Sequence, residues 1–206
     1  MMIDRIPIFF RRVPPRALLL ALIVVGSRAT GETFVPRATG QAASLGSGVA
    51  LFLPADLPPD RLPPSLCLRQ PPVPVGALPA AWPVAPEFSF SETRTRAVIR
   101  IPEGTSLYGT GEVTGPLLRN DRQVTLWNTD NYTYRHAGGR RLYQSHTWVL
   151  AVRPDGTAFG VLADTTWSTE INLAGTIEFT SEGPSFPLIV IDRESPQAVL
   201  HGLFRV

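Results

Sequence analysis

The chain predicts an all-β protein, an antiparallel β-sandwich followed by the start of a C-terminal helix. Two observations carry this. From Glu87 onward the sequence is a series of short apolar or alternating runs broken by turn residues about every eight to twelve positions, with no helical period between them. After Ser195 the pattern changes, and Ala198, Val199, Leu200, Leu203 and Phe204 crowd toward one side of a helix.

Strands are expected over Ala97 to Ile101, Val124 to Trp127, Trp148 to Val152, Phe159 to Ala163, Ser168 to Leu173, Thr176 to Thr180 and Phe186 to Ile191. Arg153-Pro154-Asp155-Gly156 reads as a turn between two of them, and Ala174-Gly175 as a two-residue hairpin loop between two more. Spacing this regular argues for a sandwich. Ser195 is placed as an N-cap with Pro196 at the first helical position. The chain ends at Val206, about ten residues later, which is shorter than a helix needs to stand alone. The expectation is a truncated piece of a longer parent.

The first half reads differently. Leu53 to Pro86 is dense in proline, with pairs at Pro58-Pro59, Pro63-Pro64 and Pro71-Pro72. Each proline removes a backbone donor and biases its predecessor away from helix, so this stretch is expected to be extended and weakly paired at best. The expected organisation is a targeting segment over 1–29, a proline-rich, poorly ordered or extended segment over 30–86, the sandwich over 87–192 and the helix start over 193–206.

An apolar content of 44% is enough to build a core in 206 residues. All 19 basic residues are arginine. Without lysine the chain has no Schiff-base site, no pyridoxal-phosphate site and no Walker-type phosphate loop. The net charge of +2 comes from the N-terminus: five arginines against Asp4 precede residue 30, leaving 14 arginines against 16 acids, or −2, beyond it. That balance does not support a nucleic-acid footprint. Cys67 is the only cysteine, so no intramolecular disulfide forms. His136, His146 and His201 are widely spaced without cysteine or paired carboxylates, so no metal site and no cofactor are expected.

A basic run ending in Arg16, the apolar run Ala17 to Val25, and Ser27 and Ala29 at A-x-A-like spacing make the three-part plan of an export signal. The apolar run is too short to span a bilayer. The expected location is periplasmic or extracellular. An arginine-rich transit peptide, an uncleaved anchor and a start codon placed too far upstream are the competing readings.

The stretch from Tyr108 to Trp167 carries Tyr108-Gly109-Thr110-Gly111-Glu112, Leu126-Trp127-Asn128-Thr129-Asp130, Leu142-Tyr143-Gln144-Ser145-His146 and Asp155-Gly156-Thr157-Ala158-Phe159-Gly160-Val161. In this order and spacing they resemble the N-terminal, galactose-mutarotase-like β-sandwich (supersandwich) domain of glycoside hydrolase family 31, the α-glucosidase and α-xylosidase family. The resemblance covers roughly Gly104 to Val206. It implies a parent in which a (β/α)8 barrel follows the sandwich and supplies an aspartate nucleophile and an aspartate acid/base, about 5 Å apart for retaining hydrolysis. Nothing in this chain corresponds to those two, so the chain alone is expected to be inactive.

The resemblance also implies one substrate contact. In the family, the aspartate ending the Trp-Asn-x-Asp motif accepts hydrogen bonds from substrate hydroxyls, and here it is Asp130. A carboxylate suits this, since its two oxygens can accept from adjacent hydroxyls. The competing reading is that Asp130 caps the turn before Asn131. Gly109 and Gly111 are expected to permit a tight turn rather than to touch ligand. Trp127 is expected in the core rather than as a stacking platform. Glu112 has no evident carboxylate partner and no catalytic role in the family. Tyr143 and His146 either line the pocket rim or tie down the loop. Thr147 stands where the family more often has proline. Asn131-Tyr132-Thr133 matches a glycosylation pattern and is read as a chance match.

The implied partner is an α-glucoside or related oligosaccharide, held together with the barrel. Self-association through the barrel-facing surface is a further expectation. Two other functions compete with this one. A free-standing carbohydrate-binding sandwich needs exposed aromatics, whereas Trp127, Trp148 and Trp167 lie in or at the ends of strand runs. A mutarotase needs an acid and a base converging on an anomeric centre, and neither His136 nor His146 has an evident partner.

Overall fold

The computed structural model describes residues 32–57, 76–131 and 141–205. The segment 1–29, the three proline pairs, Cys67, His136 and Tyr132-Thr133 of the glycosylation pattern lie outside the described residues. In chain order the elements are β1 (Val35–Arg37), β2 (Thr39–Gly46), β3 (Val49–Pro54), β4 (Gly76–Ala77), β5 (Pro86–Phe90), β6 (Arg94–Arg100), β7 (Ser106–Gly109), β8 (Gln123–Leu126), β9 (Trp148–Val152), β10 (Ala158–Ala163), β11 (Thr169–Asn172), β12 (Thr176–Glu182), β13 (Leu188–Arg193) and α1 (Pro196–Leu203).

Period-two alternation builds the first sheet. In β6, Thr95, Ala97 and Ile99 are buried while their neighbours are not, and in β11 Thr169 and Ile171 point the same way. Antiparallel pairing gives the order β1-β5-β6-β12-β11-β8. Most outward side chains of this sheet's inner strands are polar or charged, with Val98 an exception. Arg96 and Glu178, for example, form an ion pair between β6 and β12.

The second sheet, β4-β2-β3-β13-β10-β9-β7, has at its centre strands that are apolar on both faces. All of β3 and the first four residues of β13 are buried. Continuous apolar strands require cover on both sides. The inner side meets the first sheet around Phe52, Leu107, Phe159, Phe179, Phe186 and Leu188. The outer side, with Leu51, Ile189 and Ile191, is covered in part by Val199 of α1. Helix α1 starts as its sequence dictates: Ser195 Oγ accepts from the Ala198 N–H at 3.2 Å and Pro196 opens the first turn. Gly202 lets it approach, since a Cβ there would lie 2.8 Å from Ile191 Cγ2. Eight residues do not hold a helix in water, so this packing does.

The antiparallel sandwich with one short helix stands. Each of the seven expected strands has a counterpart within a few residues. The hairpin at Ala174-Gly175 is real, with Gly175 at φ +73°, but the register Asn172↔Glu178 leaves an odd number of residues between the strands, so the loop is not a two-residue one.

The compact part begins well before Glu87, which corrects the expected boundary. β1, β2 and β3 all belong to the sheets, and β3 lies between β2 and β13 near the middle of its sheet. The physical reason is where the prolines fall. Pro36 is in an edge strand, Pro54 ends β3 and Pro86 begins β5, the positions where a missing N–H costs no ladder bond. Proline density masked the apolar run Val49 to Leu53, which sits just ahead of it.

Candidate functional site

Three of the four motif segments converge on one rim at the end of the sandwich, where β7, β8 and β9 meet their loops; the fourth, Asp155 to Val161, runs from the β9–β10 turn at the other end of those strands into β10. Gly109 ends β7 and Thr110 and Gly111 follow it, with φ of +104°, +72° and +71°. The turn is tight because the chain must bond across it: the Thr110 N–H donates to Trp148 O and the Glu112 N–H to Gln144 O, both at 2.9 Å. A Cβ at position 109 would lie 2.6 Å from Trp148 O, and one at 111 would lie 2.7 Å from His146 N. Both glycines are therefore required by neighbouring backbone. Thr110, buried and β-branched, holds a left-handed conformation, a strain on the order of 1–3 kcal/mol.

Glu112 is a bracket. Its Oε2 accepts from the N–H groups of Tyr143 and Gln144, each at 3.2 Å, and so ties the first motif to the third. His146 Nε2 and Gln144 Oε1 lie 3.4 Å apart beside it.

The loop after β8 is fastened to the same segment. The Thr129 N–H donates to Leu142 O at 2.9 Å, Asn131 Nδ2 donates to Arg141 O at 3.3 Å, and the Tyr143 hydroxyl donates to Asn131 O at 2.9 Å. Asn131 is buried. Asp130, between these two anchored neighbours, is exposed and makes none of the bonds that hold the loop. Turn-capping is thus done by Thr129, Asn131 and Tyr143, and Asp130 is left at the rim.

Trp127 is not in the core. It is 50% exposed, because Val124 and Leu126 face inward and alternation sends Thr125 and Trp127 outward. Trp167, 54% exposed, stands on the same rim. Trp148 is the packed one, lying over Gly160, where a Cβ would be 1.9 Å from Trp148 Cη2. His201 is on α1, away from the motif segments in sequence and exposed.

Two hollows open here. One, of about 350 Å³, lies between Trp127 and Trp167. The other, of about 830 Å³, is mainly apolar and runs past Leu117, Trp148, Leu162, Leu203 and Phe204. Arg119 borders the second and is 8% exposed, its guanidinium donating to Val113 O at 3.2 Å and Thr114 O at 3.3 Å. Burial, reinforced by the nearby Arg122 charge, pulls its pKa below the usual arginine value. Among the described residues no three His, Cys, Asp or Glu side chains are grouped to hold a metal, and no helix is long and apolar enough to cross a membrane.

Residues 68–172 match the family model of the glycosyl hydrolase 31 N-terminal galactose mutarotase-like domain, half of the chain. The chain belongs to this family. As a glycosyl hydrolase 31 N-terminal domain it is 34% identical over 101 residues to alpha-glucosidase 2 of Bacillus thermoamyloliquefaciens, which covers 48% of this chain and 13% of that protein. It is 34% identical over 94 residues to the alpha-glucosidase of Mucor javanicus, covering 46% and 10%. The domain spans only a small fraction of these relatives. A dextranase of Flavobacterium johnsoniae, solved with isomaltotriose, shares the fold with a TM-score of 0.59 at 12% identity, over 80% of this chain and 25% of that one.

Proposed function

We propose that the chain is the pocket-shaping N-terminal domain of an α-glucosidase-like glycoside hydrolase, with Asp130 accepting hydrogen bonds from substrate hydroxyls and hydrolysis carried by residues outside this chain. The observation that carries the reading is the loop itself. Thr129 and Asn131 are each tied to residues 141–142, yet the carboxylate between them is exposed and uncommitted. A rigid backbone presenting an unused acceptor suits a substrate with adjacent hydroxyls.

The test is Asp130→Asn in the full-length parent. The fold should persist, because Asp130 holds no structural bond. Losing a hydrogen bond to a charged group, about 1.5–3 kcal/mol, predicts a fall in kcat/KM of roughly 10- to 150-fold on an α-linked gluco-oligosaccharide. A kcat/KM within twofold of wild type would defeat the assignment. The 206-residue chain alone should not hydrolyse an aryl α-glucoside.

Two further parts of the reading concern the isolated chain. Export follows from the 1–29 pattern, and cleavage after Ala29 in the mature N-terminus would support it, whereas an intact Met1 in cell extract would count against it. Self-association follows from the apolar groove, where Leu117 is 77% and Phe204 75% exposed. Sedimentation should show dimers or larger species that Phe204→Asp disperses; a monomer at all concentrations would remove the idea.

A further inference from the structure

The cleft between Trp127 and Trp167 has features that the Asp130 reading does not use. The pair Leu126↔Thr169 is the last of the β8–β11 ladder, so residues 127–128 and 165–168 leave the sheet at one place. Its volume, about 350 Å³, falls within the range of about 300–1,000 Å³ usual for small-molecule sites. Leu126, buried, lies at its base.

Both tryptophans stand on pinned backbone. The Thr129 hydroxyl donates to Trp127 O at 3.0 Å. The Trp167 N–H donates to Thr165 Oγ1 at 3.2 Å, and Trp167 O accepts from the Thr169 hydroxyl at 2.9 Å. Trp167 also rests on Gly183, where a Cβ would lie 2.6 Å from Cδ2 and 2.7 Å from Cγ, so one side of the indole is fixed against backbone. A single exposed aromatic needs no explanation, but two pre-positioned ones lining one hollow do. Asn128, Ser145 and Thr166 add an amide and two hydroxyls to the lining, and none of these side chains is engaged with a described residue.

We propose that this cleft binds a gluco-configured pyranose oligosaccharide, an activity of the domain itself that goes beyond the Asp130 contact. Equatorial hydroxyls leave the two faces of such a ring covered by C–H groups, which stack on indole. The hydroxyls then project from the ring edge, toward donors and acceptors of the kind that Asn128, Ser145 and Thr166 supply.

The test is titration of the full 206-residue chain with maltotriose, at concentrations where it is monomeric, reading the indole N–H resonances of its four tryptophans. The resonances of Trp127 and Trp167 should shift along one saturable curve while those of Trp82 and Trp148 stay still. Trp127→Ala and Trp167→Ala should each weaken binding roughly fivefold or more, and Trp127→Phe less. Gly183→Ala should weaken it without touching either indole's chemistry, by dislodging Trp167. Unmoved Trp127 and Trp167 resonances at saturating maltotriose, or alanine variants that bind as tightly as wild type with unchanged melts, would overturn the proposal. The Asp130 reading fails separately, by an unchanged kcat/KM in the parent, so neither result decides the other.

Discussion

Replacing Gly111 by alanine separates two costs that usually come together. At φ +71° an L-residue is strained by roughly 1–2 kcal/mol wherever it sits. At Gly111 the new Cβ would also lie 2.7 Å from His146 N and 2.9 Å from Gln144 O, both backbone atoms that cannot rotate away. The 144–146 segment must then move, stretching the Glu112 N–H to Gln144 O bond of 2.9 Å. Overpacking of this kind adds about 1–3 kcal/mol, for a total of about 2–5 kcal/mol. Gly156 is the internal control: its φ is +86°, but nothing lies within 4 Å of its Cβ position, so Gly156→Ala carries the strain alone. Urea unfolding of the two variants should differ by about 1–3 kcal/mol, a large share of a typical domain stability of about 5–15 kcal/mol. Equal destabilisation within about 0.5 kcal/mol would refute the claim that packing against the third motif is what requires Gly111.

Acid should destabilise the domain through two carboxylates that bridge distant parts of the chain. The Ser91 hydroxyl, above all, and Arg94 hold Glu32 below its ordinary pKa against the opposing effect of burial. Burial raises Asp56, but Arg37 and Ser185 outweigh it and leave it lowered. Groups depressed in the folded state stabilise fully above the unfolded values of about 3.9 for Asp and 4.3 for Glu and lose that contribution as pH falls through their lower folded values, so unfolding free energy should drop between about pH 6 and about pH 3. Asp56→Asn should flatten that drop, and a stability that stays level or rises toward pH 3 would contradict the assignment. Ser195→Ala removes the acceptor for the Ala198 N–H and should cost about 1 kcal/mol by thermal melt; no loss would mean that packing of Val199 and Gly202 alone holds α1.

The sheets were legible where one physical rule dominates. β6 and β11 alternate cleanly, and Ser195-Pro196 carries its helix start in two residues. β3 was not, because its apolar run lies against a proline cluster whose average hid where each proline falls. Trp127 was misread for a different reason. It ends an apolar run, but the parity of Val124 and Leu126 places it on the opposite face. Trp167 follows β10 in a loop, where no periodicity fixes a side chain's direction, and its exposure depends on Gly183 from a strand connection far along the chain.

The same distinction explains why motif reading alone cannot apportion roles within the rim. Glu112, Tyr143 and Asn131 have the chemistry of active-site residues, yet each is engaged in bonds that hold one loop to another. Asp130 sits between the anchored Thr129 and Asn131, and the two exposed tryptophans are held by Thr129, Thr165, Thr169 and Gly183, while all three make few bonds with their own side chains. A residue that fixes geometry must have its polar groups satisfied within the protein, and one that meets a ligand must not. Substituting Glu112 by Gln should therefore disturb the rim more than Asp130→Asn does. The carboxylate that takes two backbone N–H groups would become a neutral acceptor, weakening two charge-assisted bonds that hold Tyr143 and Gln144. Amide exchange at Tyr143 and Gln144 should accelerate in Glu112→Gln and remain unchanged in Asp130→Asn, and the reverse order would mean that Asp130, not Glu112, is the structural residue.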